Sequence, residues 1–225
     1  MTEITDHLAD IVERVARATQ HAHRSAASVT IVAISKQQPS SAIIEAHRAG
    51  IENFGESYVQ EALPKMDAVA DLGLTWHFVG KLQANKTRHV AERFDWVHTV
   101  DRLRIAERLN EQRPSFAAPQ NVLIQVNQGG EAQKGGAAPT EVAGLARSIA
   151  KLPRLKLRGL MTLPPQSGAP ADWFAELAAL RALLESDGIV LDTLSMGMSA
   201  DFEEAIIAGA TLVRIGTAIF GQRRV

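Results

Sequence analysis

Apolar positions recur along this chain with two periods that alternate. Residues 29–35 (VTIVAIS) form a continuous, mostly β-branched run of strand length, and Pro39-Ser40 just beyond it carries a helix-start signal. The helix opening there stops at Gly50. A short apolar step at residues 51–54 follows, and then a helix from about Glu56 to Met66. The beat continues with a strand at residues 75–79, a helix at 85–93, a strand at 96–100, and a helix at 102–112 behind an Asp101 cap. Residues 121–127 read as the next strand, and Thr140 as the cap of a helix whose Val142, Leu145 and Ile149 share one face. A strand at 157–163 leads to a long helix marked by Trp173, Leu177, Leu180 and Leu184 and stopped at Gly188. Strands at 193–196 and 211–215 complete the series, each ahead of a short helical start at Ala200-Asp201 or Thr217-Ala218. Before the first strand, Ile4, Leu8, Ile11 and Val15 recur at helical spacing, which predicts an amphipathic helix lying on something larger.

Strand-helix units repeating without a composition break predict a parallel sheet. We expect a closed (β/α)8 barrel of the TIM type with an extra N-terminal helix, a single domain over residues 1–225. An open doubly wound sheet would want a glycine-rich first turn, whereas the first turn here is SKQQPSS. The two loosest loops, residues 128–139 (QGGEAQKGGAAP) and 164–171 (PPQSGAPA), both follow strands. Both therefore belong to the carboxyl face of the barrel, where such folds keep their sites.

Composition narrows the function classes. With 225 residues, 46% hydrophobic and 22% charged, the chain can bury a substantial core, and disorder as the main state is excluded. A formal net charge of -1 provides no global field to recruit nucleic acid or an anionic membrane, so any anion site must be local. Zero cysteines remove disulfides, thiolate catalysis and cysteine-ligated zinc. The first twenty residues carry acids early and hold no continuous apolar stretch, so neither a signal peptide nor a membrane span is expected, and the protein is expected to be cytoplasmic.

Candidate chemistry gathers on the carboxyl face. Lys36 ends the first strand, with its stem against apolar surroundings and its amine at the barrel mouth, the setting in which Schiff-base lysines are found. Most strand-ending lysines simply reach solvent, so the rest of the chain has to decide. In the last two units, LSMGMSADF and TLVRIGTAIFG, Ser199 precedes one helix start and Gly216-Thr217 opens another. Hydroxyls and free backbone N–H groups at helix starts make a phosphate site, and barrels favour their last two loops for it. Taken singly, Ser199 is an N-cap, Gly216 a tight turn and Arg214 a surface partner. Together with Lys36 they describe one ligand, an aldehyde carrying a phosphate.

Other candidates carry less. His21 and His23 are two apart and diverge on a helix, a poor metal pair, and no metal site is expected. His77 and His98 lie in strands and read as satisfied core or rim histidines, and Trp76 and Tyr58 as core or pocket wall. Lys81, Lys86 and Arg88 make a small basic cluster, which reads as a solvated face able to steer a phosphate.

Six motifs carry a specific likeness: VAISK ending at Lys36, NFGESYVQE from Asn53, WHFVGKLQANK from Trp76, GLMTLPP from Gly159, SMGMSADF from Ser195, and VRIGTAIFGQR from Val213. From about Ile31 to Arg223 the chain resembles the pyridoxal phosphate homeostasis protein family, single-domain barrels similar to the N-terminal domain of bacterial alanine racemases. The resemblance implies pyridoxal 5'-phosphate as cofactor, with Lys36 forming the internal aldimine. It implies that Ser199, Gly216 and Thr217 hold the phosphate, that Arg214 faces the pyridine nitrogen, and that Asn53, at its strand end, lies near the ring. The chain departs from the family at Gln38, where a second lysine is common, in ending at Arg224-Val225 without a lysine-bearing tail, and at Ser57, where asparagine is usual. Lys134 matches a lysine common in relatives and is a candidate second acceptor of the cofactor.

The same resemblance bears on catalysis. An arginine beside the ring nitrogen can only donate, which leaves that nitrogen unprotonated and the ring a weak electron sink. A racemase compensates with a second base, typically a tyrosine from a separate domain, and this chain has one tyrosine, Tyr58. The expected protein is a monomeric, non-catalytic carrier that holds the cofactor in vitamin B6 homeostasis and delivers it to apo-enzymes. A racemase using the same lysine is the alternative, and a Schiff-base aldolase acting on a sugar phosphate is a third.

Overall fold

The computed structural model describes residues 3–131, 134–165 and 167–222. Arg223 of the last motif and the Arg224-Val225 end lie outside them. Eight parallel strands close into a barrel in sequence order: Thr30–Ile34 (β1), Asn53–Glu56 (β2), Thr75–Phe78 (β3), Trp96–Val100 (β4), Gln120–Val126 (β5), Leu155–Thr162 (β6), Thr193–Ser195 (β7) and Leu212–Ile215 (β8), with β8 paired to β1. The helices are Glu3–His21 (α1), Ser40–Arg48 (α2), Val59–Ala68 (α3), Thr87–Arg93 (α4), Leu103–Gln112 (α5), Val142–Ile149 (α6), Pro170–Ser186 (α7), Phe202–Ile207 (α8) and Thr217–Phe220 (α9). This is the TIM-type (β/α)8 barrel that the periodicity predicts.

Residues facing out of the strands and the apolar faces of the helices form one continuous core, which includes Phe54, Phe78, Phe94, Phe174 and Phe202. Inside the barrel a smaller cluster of Val32, Leu123, Met161 and Leu212 fills the floor. Burial on both faces explains why the strands read as near-continuous apolar runs. The extra helix α1 packs on α8, α9 and α2 through Leu8, Ile11 and Val15, and Arg14 pairs with Glu203 of α8 at 2.7 Å. Strands β6 and β7 approach so closely that a Cβ on Gly159 would stand 1.7 Å from Thr193 O, so only glycine fits there.

Three local expectations are corrected. Glu56 does not open a helix: it ends β2 with its side chain on the same side as Phe54 and fully buried, and α3 begins only at Val59. Asp101 does not cap α5, whose N-cap residue is Arg102, because the Asp101 carboxylate is taken by the Arg102 guanidinium at 2.7 Å. Thr140 sits inside a 3-10 turn, Pro139–Glu141, where the Glu141 carboxylate rather than the threonine accepts the Ala138 N–H at 3.1 Å.

Candidate functional site at the carboxyl face of the barrel

Lys36 stands two residues beyond the end of β1, in a turn whose next residue, Gln37, is left-handed at φ 62°. Both neighbours of Lys36 are tied to the second βα unit. Ser35 Oγ donates to Glu56 Oε1 at 2.7 Å, Ser35 O accepts from Lys65 Nζ at 2.7 Å, and the Gln37 N–H donates to Glu61 Oε1. Lys65 Nζ completes the cluster, 2.9 Å from Glu56 Oε1 and 2.6 Å from Glu61 Oε1. Burial raises the Glu56 pKa, opposed by the hydrogen bonds from Lys65 and Ser35. The strained turn is thus over-determined by a buried ionic cluster that contains no part of Lys36 itself. Lys36 is half-buried, and its Nζ has no hydrogen bond or ion pair among the described residues. It lies over the Tyr58 ring, 5.6 Å from the centroid.

Arg214, on β8, lies inside the barrel and is 4% exposed. Its Nη1 donates to Ser195 Oγ at 2.7 Å and its Nη2 to Thr162 O at 2.8 Å. Burial pulls its pKa down to about 10, partly offset by Asp201, so it remains a cation at neutral pH. From Ser195 the contacts run on across the barrel: Ser195 Oγ to His98 Nδ1 at 2.9 Å, His98 Nε2 to His77 Nδ1 at 2.9 Å, and His77 Nε2 to Asn53 Oδ1 at 3.0 Å. Burial lowers the His77 pKa to about 3, and burial, with His77 and Arg214 adding to it, takes His98 well below its ordinary value, so both rings are neutral. Neutrality fixes every proton in the chain. Asn53 Oδ1 can only accept, so His77 carries its hydrogen on Nε2 and accepts on Nδ1. His98 then donates from Nε2 and accepts on Nδ1, and Ser195 donates to it while accepting from Arg214. Five side chains form one polarised line in which the first four donate, each away from the arginine, and Asn53 accepts.

Ser199 and α9 meet as the sequence predicts, though not through a cap on α8, whose N-cap residue is Asp201. Instead Ser199 Oγ crosses to the last unit and accepts from the Ala218 N–H at 3.3 Å, one residue beyond Gly216-Thr217. Gly216 lies against β1, where a Cβ would stand 3.5 Å from both Ile34 Cβ and Ile34 O. The Ser199, Gly216 and Thr217 group therefore borders the strand that ends in the Lys36 turn. Asn53 is placed differently: it is the first residue of β2, at the amino end, and its carboxamide is engaged by His77. The structure joins it to Arg214 through the interior chain and does not bring it to the carboxyl-end ring where Lys36 stands.

Lys134 is not a free loop amine, since its Nζ donates to Pro164 O at 2.6 Å and pairs with Glu131 at 2.7 Å, tying together the loops after β5 and β6. Trp76 is core, packed against Phe54. Tyr58 is pocket wall and not core, 56% exposed. The basic cluster is rearranged: Arg88 pairs with Glu92 on the outside of α4, while Lys81 and Lys86 share a cavity with Arg102. Among the described residues no group of three or more histidines and carboxylates could hold a metal, and no helix is long and apolar enough to cross a membrane.

Sequence reasoning passed over Glu56, Glu61, Lys65 and Ser195. One signal was available. In NFGE, Glu56 falls on the face of Phe54, and a carboxylate on a buried face requires a cation, which Lys65 offers from the following helix, where Glu61 stands four residues before it.

Comparisons with known proteins bear on the fold and the family. Residues 7–224 match the family described as alanine racemase, N-terminal domain. The chain is 52% identical over 223 residues to the pyridoxal phosphate homeostasis protein of Pseudomonas aeruginosa, covering 99% of this chain and 97% of that one. PipY of Synechococcus elongatus, solved with PLP bound, superposes with a TM-score of 0.86 at 35% identity, covering 97% of this chain and all of its own. Alanine racemase from Corynebacterium glutamicum shares the fold at a TM-score of 0.71 and 16% identity, over 98% of this chain and 62% of that one. Near-complete alignment to these relatives, on a barrel closed in sequence order, leads to one assignment: the chain belongs to the pyridoxal phosphate homeostasis protein family.

Proposed function

We propose that this protein binds pyridoxal 5'-phosphate at the mouth of its barrel and holds it through Lys36, serving intracellular vitamin B6 homeostasis by delivering the cofactor to apo-enzymes. The observation that carries the reading is the Lys36 amine, half-buried, without a hydrogen-bonding or ionic partner among the described residues, on a turn fixed from both sides. The residues around it fit an aldehyde with a phosphate. Nζ can condense with the aldehyde carbon with loss of water, the Ser199 hydroxyl and the backbone N–H groups of Gly216 and Thr217 can donate to phosphate oxygens, and Arg214 can donate to a ring nitrogen. When bound, the cofactor supplies an electron sink for amino-acid chemistry. Arg214 works against that use, because a cation held in place by Ser195 and Thr162 disfavours protonation of the ring nitrogen. Asn53 acts at a distance, as the last acceptor of the chain that orients Arg214. The protein turns over no substrate in this reading and works as a monomer in the cytoplasm.

One observation favours a racemase instead: the Tyr58 phenol lies beside Lys36, where a second base would have to stand. A single experiment separates the two. Borohydride reduction of the loaded protein followed by mass mapping should place the modification on Lys36, and α-deuterium exchange from alanine should stay at background. Reduction that labels Lys81 or Lys86 and spares Lys36 would sink the assignment, and exchange at enzymatic rates would make the protein a racemase.

A further inference from the structure

The described residues include a cavity of about 500 Å³ on the carboxyl face, lined by Ser57, Tyr58, Gln60, Lys81, Lys86 and Arg102 among others. Lys36 is not among its lining residues, and neither are Ser199, Arg214, Gly216 or Thr217. Its charge is one-sided. Arg102 is satisfied by Asp101, but Lys81 and Lys86 have no hydrogen bond or ion pair among the described residues, and no carboxylate lines the wall.

Both lysines issue from backbone that cannot shift easily. Gly80, just before Lys81, packs so tightly on the preceding unit that a Cβ would stand 2.0 Å from Ser57 O, and its own carbonyl accepts from Thr99 Oγ1 at 2.7 Å. Lys86 ends the 3-10 turn Ala84–Lys86, whose Ala84 O accepts from Thr87 Oγ1 at 2.8 Å and from Arg108 Nε at 2.9 Å. Two like charges aimed at one concave space repel each other and gain only when an anion enters. Their combined charge matches the nearly −2 of a phosphate monoester at neutral pH. A cavity of this size encloses a small molecule, whereas an acidic segment of a partner protein would want an open basic surface.

We propose that this cavity is a second anion site, which takes a small-molecule phosphate monoester between Lys81 and Lys86, separated from Lys36 by the Tyr58 ring. The site uses no residue of the first, so the barrel mouth can hold two phosphorylated molecules at once, one on either side of Tyr58.

The test is a binding stoichiometry with pyridoxine 5'-phosphate, which has ring and phosphate but no aldehyde, and with inorganic phosphate. Calorimetry on the full-length wild type should give two equivalents of the ester. The double variant Lys81→Met, Lys86→Met should give one, while borohydride labelling of Lys36 by pyridoxal 5'-phosphate is unchanged. Each single variant should weaken the second equivalent by at least about tenfold, and raising the salt should weaken it further. Lys81 is exposed and Lys86 half-buried, and an unchanged thermal melt confirms that the fold survives. A wild type that binds one equivalent, a double variant that still binds two, or a preference for an oligoglutamate peptide over both phosphates would each overturn the proposal. Failure of Lys36 to label would overturn the first site and leave this result standing.

Discussion

His77 Nδ1 and His98 Nε2 meet at 2.9 Å in the interior of the barrel, each ring fully buried and each neutral. Nitrogen-15 NMR should therefore find both in the Nε2–H form, with no titration between pH 5 and 8. An Nδ1–H form of either ring would reverse the direction of the donor line and detach Arg214 from it. The pH dependence of stability has a definite sign. In the unfolded chain these histidines take up protons below about pH 6.5, whereas folded His77 does so only near 3, so their contribution is complete above 6.5 and is lost as the pH falls toward 3. Acid titration of the melting temperature of the wild type against His77→Gln checks this, and a variant whose loss across that window is as large as that of the wild type would contradict it.

Removing the cation that ties the Lys36 turn should be severe. Lys65→Met leaves Glu56 buried without its partner, which costs on the order of 3 to 5 kcal/mol in chemical denaturation. Glu56→Gln keeps the shape and one acceptor, and should cost less. In both variants covalent attachment at Lys36 should slow while non-covalent binding of the phosphate ester persists. Attachment at the wild-type rate in a folded Glu56→Gln protein would show that the cluster serves stability alone.

The Ser199, Gly216 and Thr217 group should supply most of the affinity through charge-assisted hydrogen bonds. Pyridoxal without its phosphate should bind far more weakly than the phosphorylated vitamer, and Ser199→Ala should narrow the gap between them. Equal affinities for the two vitamers in a titration would place the phosphate elsewhere.

Replacing Arg214 with Glu should raise the pyridine pKa of the bound cofactor and so speed exchange of the α-proton of an added amino acid, counted per bound cofactor. The substitution also breaks the bonds to Ser195 and Thr162, so occupancy will fall. A well-occupied variant with exchange no faster than wild type would mean that Arg214 does not face the ring nitrogen.

The barrel was legible because its strands are buried on both faces and its helices on one, so the two periods separate cleanly along the chain. Lys36 was legible because a charge ending an apolar run is conspicuous. The interior chain was not. His77, His98 and Ser195 sit in strands whose two faces are both buried, and a single sequence does not say which face turns into the barrel. Glu56 misled for a related reason: an acid near the end of an apolar step imitates the first turn of a helix, and only the partner nine residues on distinguishes the two. Arg88 follows the lysines in sequence but faces away, whereas Arg102 reaches their cavity from the turn after β4.

The lysine on the first turn is held by groups that all belong to the following unit, from Glu56 to Lys65. A chain cut between Arg48 and Asn53 would therefore put the reactive amine on one fragment and its whole mounting on the other. Each piece alone would present either a lysine on a loose turn or a Glu56–Lys65 pair that lacks the Ser35 hydroxyl. Competence for covalent capture would return only when the two reassociate, which makes this junction a place where fragment complementation can be read directly as a yellow colour.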